Sequence, residues 1–328
     1  MMSRRHLLNL AAGAAALPAV ARVAWAQTYP TRPVTMVVTY PAGSALDTAG
    51  RIVAERMRLS LRQPVIIENI SGANGSIGAG RVAHAAGDGY TLVIGTSDTH
   101  VANGAIYPLT YDLLADFEPI SLLLNVSYLI AARKAMPAND LRGLLAWLKA
   151  NPDTATEGTS GVGSAQHVGG LLFQKLTGTR FQFVPYRSSS QAMPDLVAGR
   201  IDWTMAVATD AMPQLRSENI KVYAAAAPRR LVTASDIPTV DEAGLPGFYL
   251  SGWSGIWAPK RTPKAVIAEL NAAIIDALAD PGVRSRLADI GQEIFPREQQ
   301  TPEALSAFQK AEIEKWWPII KAAGIRAE

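Results

Sequence analysis

A β-branched apolar run, Val34 to Thr39, stops at Tyr40-Pro41, turns through Ala42-Gly43-Ser44 and enters a helical spacing between Ser44 and Asp47. This stretch constrains the fold more than any other. A strand without polar alternation is buried on both faces, which places it in a parallel sheet covered by helices. The small residues of the turn leave the first N–H groups of the helix free. With the positive end of the helix dipole, those groups form a place for a carboxylate or another anion. The same residues also suit plainer roles, with Gly43 as a turn glycine and Ser44 or Asp47 as a helix cap. Asp47 further matches Arg51 four residues on, and as an anion it should repel a carboxylate ligand.

The pattern then repeats. Ile52, Val53, Met57 and Leu61 give a helix over Asp47 to Leu61, closed by Gln63-Pro64, and Val65 to Glu68 reads as a strand. A glycine-rich loop, Asn69 to Gly80, enters a helix over Ile77 to Ala86. Its glycines do not fit G-x-G-x-x-G and no phosphate-loop lysine follows, which argues against a nucleotide site. Tyr90 to Ile94 is a third strand running into Gly95-Thr96-Ser97-Asp98-Thr99-His100. Small or hydroxyl residues thus stand at three successive strand ends, where open α/β sheets bind ligands.

Two long apolar β-type runs, Ile120 to Ala132 and Phe248 to Ala258, are long enough to cross from one domain to another and back. Between them a second α/β set is expected: helix Leu141 to Ala150, strand Thr156 to Gly158, a small-residue loop Thr159 to His167, helix Val168 to Thr177, strand Phe181 to Val184, a polar turn Pro185 to Ser190, and strands Arg200 to Ala206 and Lys221 to Ala226. After the return come helices over Pro263 to Ala279, Pro281 to Ile290 and Thr301 to Ala322. The fold class is therefore α/β, with domain 1 built from residues 27–127 and 252–328 and domain 2 from 128–251.

The 328 residues suffice for two cores, and 48% hydrophobic with 18% charged residues is a globular balance. The absence of cysteine removes disulfides, thiolate catalysis and cysteine-bound zinc or iron–sulfur sites. Ser3-Arg4-Arg5-His6-Leu7-Leu8, the Ala-rich run Leu10 to Val20 and the Ala24-Trp25-Ala26 cleavage pattern read as an export signal over residues 1–26, with an arginine pair that resembles the twin-arginine route. Arg4, Arg5 and Arg22 lie in that segment, so the remaining chain balances at 28 basic and 28 acidic residues. The formal net charge of +3 is then no argument for nucleic-acid binding.

The ordered series YPTRPVTMVVTYPAGSALD (29–47), QPVIIENISGANGSIGA (63–79), DGYTLVIGTSDTHVAN (88–103), GTSGVGSAQHVGG (158–170), FVPYRSSSQAMPDLVAGRID (183–202), IPTVDEAGLPG (237–247), WSGIWAPKRTP (253–263) and EKWWPIIKAAG (314–324) resembles the periplasmic solute receptors of tripartite tricarboxylate transporters, the Bug-type binding proteins. The resemblance implies a type II periplasmic-binding-protein fold that closes over a small organic anion held between Pro41–Ser44 and Ser160–His167. It also implies a periplasmic location, membrane transporter subunits as partners and no cofactor; a monomer is expected. Two positions depart from the family: Ser44 stands for a second glycine, and Tyr186-Arg187-Ser188-Ser189 replaces Tyr-Lys-Gly-Gly. Ser44 and Ser188 are thus expected to narrow or re-polarise the pocket.

The candidate ligand-binding residues are Ala42, Gly43 and Ser44 in the first loop and Ser76 and Thr96 in the next two. In the second domain they are Ser160, Gly161, Gly163, Ser164 and His167, then Tyr186, Arg187 and Ser188, and Asp202. Ser160 and Ser164 also suit N-capping, Tyr186 core packing, Asp202 a structural or hinge contact, and Trp253 and Trp257 hinge packing. The ligand is left open among mono-, di- and tricarboxylates, an aromatic carboxylate and a neutral amide-like solute. Two other outputs remain: a sensor that shows its liganded surface to a signalling partner, and a serine hydrolase using Ser160 or Ser164 with His167. No complete G-x-S-x-G supports the hydrolase. His84, His100 and His167 are scattered without H-E-x-x-H, so no metal site is expected.

Overall fold

The computed structural model describes residues 29–231 and 234–326. The expected export segment, 1–26, lies outside the described residues. Strands β1 (Val34–Val38), β2 (Val65–Asn69) and β3 (Thr91–Thr96) pair in parallel, with β1 in the middle. Val34, Met36 and Val38 pack into one core and Val37 into the core on the opposite face. This is the both-faces burial that an unbroken apolar strand requires.

Helix α1 (Ala45–Leu61) covers one face and α2 (Ser76–Ala83) the other. A π-helical turn, Asp98–Ala102, follows β3 and runs into α3 (Asn103–Ile106). Strand β4 (Phe117–Arg133) then extends through both lobes of the molecule in 17 residues. Its first part, Phe117 to Ser127, pairs antiparallel with β9 (Ser251–Pro259), which in turn pairs with β3. From Tyr128 onward it pairs instead with β7 (Trp203–Val207) and β8 (Ile220–Ala225).

The second lobe adds α4 (Leu141–Ala150), β5 (Thr156–Thr159), α5 (Ala165–Thr177), β6 (Gln182–Pro185), α6 (Ser189–Val197) and α7 (Ala208–Arg216). The chain closes in the first lobe with α8 (Lys264–Ala279), α9 (Pro281–Asp289), the two-residue β10 (Glu293–Ile294) on β4, and α10 (Pro302–Ala322). The strand order through both lobes is β2-β1-β3-β9-β4-β7-β5-β6. No helix among the described residues is long and apolar enough to cross a membrane.

Besides the short turn and helix at 98–106 and the two-residue β10, two helices near the cavity depart from the expected pattern. Helix α7 is not among the expected elements; it is nine residues long, holds Pro213 inside and starts directly at the end of β7. Helix α5 begins at Ala165, because Ser164 accepts a hydrogen bond from the His167 N–H and caps it three residues earlier than the apolar spacing indicates. Among the buried polar groups, Glu157 on β5 is fully buried and neither carboxyl oxygen has a partner. Burial pushes its pKa well above the ordinary 4.5. Its unfolded form titrates near that ordinary value, so the stability it contributes falls as pH rises above it. Replacing Glu157 by Met should raise the melting temperature at pH 8, and by less at pH 5, in paired calorimetric scans.

Candidate functional site

A cavity of about 90 Å³ lies where the two lobes meet, at the carboxyl ends of β1, β3 and β7. A water needs ~10–15 Å³ by this kind of measure, so the cavity suits a solute of roughly half a dozen heavy atoms. Three helices start at its wall: α1 brings Ser44, Ala45 and Leu46, α6 brings Ser188, Ser189 and Ser190, and α7 brings Val207 and Asp210.

The start of α1 is tied down by its own side chains. Ser44 Oγ accepts from the Asp47 N–H at 3.2 Å, and Asp47 Oδ2 accepts from the Gly43 N–H at 2.9 Å. Asp47 is also held by Arg51 and by Asn69 Nδ2 at 2.9 Å. Burial raises its pKa, and the bonds from Arg51, Gly43 and Asn69 more than offset that, leaving the carboxyl below its ordinary range. Gly43, at φ +80°, makes the turn a side chain would strain. After these bonds, the N–H groups of Ala45 and Leu46 have no acceptor among the described residues, and both residues line the cavity.

The opposing donors come from α6. Ser188 gives no side-chain cap, and its Oγ instead sits 2.9 Å from Ser190 Oγ. The Ser189 and Ser190 N–H groups have no acceptor among the described residues. The loop Ser160–His167 was the expected partner of the first loop, but the start of α5 behind it is already occupied. Asp98 Oδ1, from the first lobe, accepts from the Ala165 N–H at 3.0 Å. Its Oδ2 accepts from Tyr40 OH at 2.9 Å. A carboxylate of the protein itself thus fills the anion position of α5, and the helix starts of the second lobe left without a side-chain cap at the cavity are those of α6 and α7.

Asp98 is 7% exposed. Burial pushes its pKa up to about 6, with the bonds from Tyr40, Ala165 and Ser97 limiting the rise. The lobes meet at two further points. Tyr107 OH donates to the Val162 carbonyl at 3.1 Å, and Gly163 lies so close to Ile106 that a Cβ there would come within 2.6 Å of its Cδ1.

Of the residues singled out by sequence, the cavity wall includes Ser44, Thr96, Ser160 and Ser188. Ala42 and Gly43 sit in the turn behind it. Ser76 caps back onto the Ala73 carbonyl at 2.8 Å, away from the cavity. Gly161 and Gly163 shape the second loop at positive φ, Ser164 caps α5, and His167 Nδ1 accepts from the Gly163 N–H at 3.2 Å with its ring against Phe183. Tyr186 OH donates to Asp195 at 2.8 Å and Arg187 is exposed. Asp202 is held by Arg133 at 2.9 Å and by Thr156, so it fastens β5 to the end of β4. His100 is buried, stacked on Trp257 at 3.8 Å, and burial pushes its pKa down to about 3.

The wall also holds residues the sequence reading did not select: Tyr40, Asp98, Tyr128, Ser189, Ser190, Asp210, Trp253 and Ser254. Trp253, expected in hinge packing, lines the cavity while its Nε1 donates to Glu312 at 3.3 Å. An acid in a small-residue loop at a strand's carboxyl end was the usable signal for Asp98 and Asp210. The hydrolase geometry does not form: Ser160 Oγ donates to Gln166 Oε1, Ser164 Oγ serves as a cap, and the His167 hydrogen bond runs to a backbone N–H.

The model of the tripartite tricarboxylate transporter family receptor matches residues 49–325. The chain belongs to this family. The receptor is 39% identical to the UPF0065 protein in the TAR-I ttuE-ttuC' intergenic region of Agrobacterium vitis, over 92% of this chain and 88% of that one. Its structure is similar to that of the periplasmic binding protein BugD, at TM-score 0.85 and 35% identity, covering 91% of this chain and all of the other. It is also similar to MatC from Rhodopseudomonas palustris with bound malate, at TM-score 0.84 and 38% identity over 89% of this chain and 100% of that one. The receptor thus has the expected type II periplasmic-binding-protein fold, and the family is one of periplasmic solute receptors.

The position of Asp98 gives the receptor a pH signature. Its folded pKa, about 6, lies above the ordinary 3.8 of the unfolded chain. The folded state therefore keeps the proton longer, and this contribution to stability is lost as pH rises through 6. Asp98→Asn keeps an acceptor for the Ala165 N–H and should flatten the fall in unfolding free energy between pH 4 and pH 7, by roughly 3 kcal/mol in calorimetry.

Proposed function

We propose that the receptor captures a small organic carboxylate in the interlobe cavity, non-covalently and without a cofactor, and delivers it to the membrane subunits of a tripartite tricarboxylate-type transporter. One observation carries the reading: unpartnered N–H groups at the starts of α1 and α6 reach the same cavity from opposite lobes. Hydrogen bonds to a charged group contribute roughly 1.5–3 kcal/mol each, so a few of them support micromolar binding, about 8 kcal/mol, after ordering costs. The malate bound to MatC supports a carboxylate as the class of ligand.

Closure follows from the same geometry. The proposed division into 27–127 with 252–328 and 128–251 is supported by the change of partner along β4, which gives up β9 after Ser127 and takes β7 from Tyr128. The Tyr107–Val162, Asp98–Ala165 and Ile106–Gly163 contacts join the lobes in the present arrangement. A ligand that gains contacts in that state favours it. We read the chain as a binding protein rather than an enzyme, which the engagement of Ser160 and Ser164 elsewhere supports. Residues 1–26 are proposed as the export signal and the receptor as a monomer.

Calorimetric titration of the protein with malate and related small carboxylates tests the reading. One should bind with one-to-one stoichiometry, and at a hundred times its Kd it should add roughly 2.7 kcal/mol to stability. Failure of every carboxylate in the series would overturn the proposal. Tyr107→Phe removes one hydrogen bond between the lobes, and should weaken binding about two- to tenfold at unchanged stoichiometry.

A further inference from the structure

The lobes share a second seam, away from the solute cavity. The last helix, α10, belongs to the first lobe and is tied there by its side chains. Gln309 Nε2 donates to the His100 carbonyl at 2.8 Å and to the Leu113 carbonyl at 3.1 Å, and Trp317 Nε1 donates to the Val101 carbonyl at 2.9 Å. His100 and Val101 lie in the π-helical turn that carries Asp98. Helix and turn are thus fastened together.

The far end of α10 meets the second lobe. Ile320, at 0% exposure, shares an apolar cluster with Ala102, Ile106 and Ile325 of the first lobe and with Val168 of α5. Leu171, one turn further along α5, packs against the same cluster. Among the described residues, the side-chain hydrogen bonds and the ion pair of α10 all stay within the first lobe, so its contact with α5 is apolar. The seam is also incompletely filled. A cavity of about 30 Å³ lies between Val168, Leu250, Trp316 and Ile320. Asp98 stands in the walls of this cavity and of the solute cavity, whereas Val168 and Ile320 line only the smaller one.

An apolar contact parts without stranding a polar group, and what opposes parting is the wetting of its side chains. Its strength depends on how well those side chains fill the space, not on the solute. Building on the receptor reading above, we propose that Val168 and Ile320 are positioning residues for capture: their seam holds the lobes in the binding arrangement, and the unliganded receptor divides between that arrangement and a parted one. The apparent Kd is then the intrinsic Kd divided by the fraction of receptor in the binding arrangement. The solute cavity selects the solute, and the seam scales the affinity for every solute by one factor.

The chain has no cysteine of its own, so spin labels on Ile77→Cys and Leu176→Cys, both exposed and one in each lobe, measure the lobe separation by pulsed dipolar spectroscopy without a ligand. The unliganded protein should show two separations. Val168→Ala and Ile320→Ala should each move the ratio about three- to tenfold toward the parted one, at most about 1.4 kcal/mol, and Val168→Ile, which keeps the seam filled, should not. In titrations with malate, succinate and citrate on the unlabelled protein, each alanine variant should weaken every solute that binds by one shared factor of about three to ten. A single separation, a ratio unchanged within about twofold in both alanine variants, or factors that differ more than about threefold between solutes overturns the inference and leaves the receptor reading standing. Failure of all three solutes to bind the folded wild type counts against the receptor reading, and the label ratio still decides the seam. If an alanine variant does not fold by circular dichroism, Leu171→Ala, at a partly buried position, takes its place.

Discussion

The hydrogen-bond ladder of β4 is the constraint on which the molecule depends. One strand of 17 residues serves both lobes, giving its first part to β9 and its last part to β7 and β8. Its side chains are buried almost throughout, with Leu129, Ile130, Ala131 and Ala132 at 0% exposure. Backbone pairing, broken only by irregularities near Ile120, Leu123 and Ile130, ties each part of the strand to its own lobe up to the point where the partner changes. That change comes at Tyr128, a residue of the cavity wall. The change of strand partner and the cavity wall thus fall on one element.

The cavity uses few groups for several tasks. Asp98 joins the lobes through Ala165, is held in its own lobe by Tyr40, and also lines the cavity. Trp253 holds Glu312 of α10 with its indole N–H and presents its ring to the cavity. Ser189 supports both the Val207 N–H, at 3.4 Å, and Asp210. Occupancy of the site and contact between the lobes are therefore linked through shared side chains.

The parts legible in the sequence were those set by local pattern. Val34 to Val38 announced a strand buried on both faces, and the length of the apolar run around Ile120 to Ala132 announced the shared strand. The turn at Ala42–Ser44 announced a helix start. Contacts made across the fold were not legible. Asp98 looks like a loop residue, and its burial depends on Ala165, 67 residues away. That contact also gives the start of α5 an acceptor from the other lobe, which the Ser160–His167 pattern alone does not reveal. Asp210 was hidden because Pro213 masks the helix it belongs to. Glu157 reads as an ordinary strand residue, and only packing shows it to be sealed inside.

The capping of α1 has a consequence for discrimination by shape. Ser44 and Asp47 consume two of the N–H groups at this turn, and the Ala45 and Leu46 groups are what is left. Two donors side by side suit a flat group with two oxygens. A tetrahedral oxyanion such as sulfate or phosphate brings further oxygens that these two donors do not meet, and on this side of the cavity they face Ala49 and Leu46. Capped from within, the start of α1 keeps two free donors where an uncapped one would offer four.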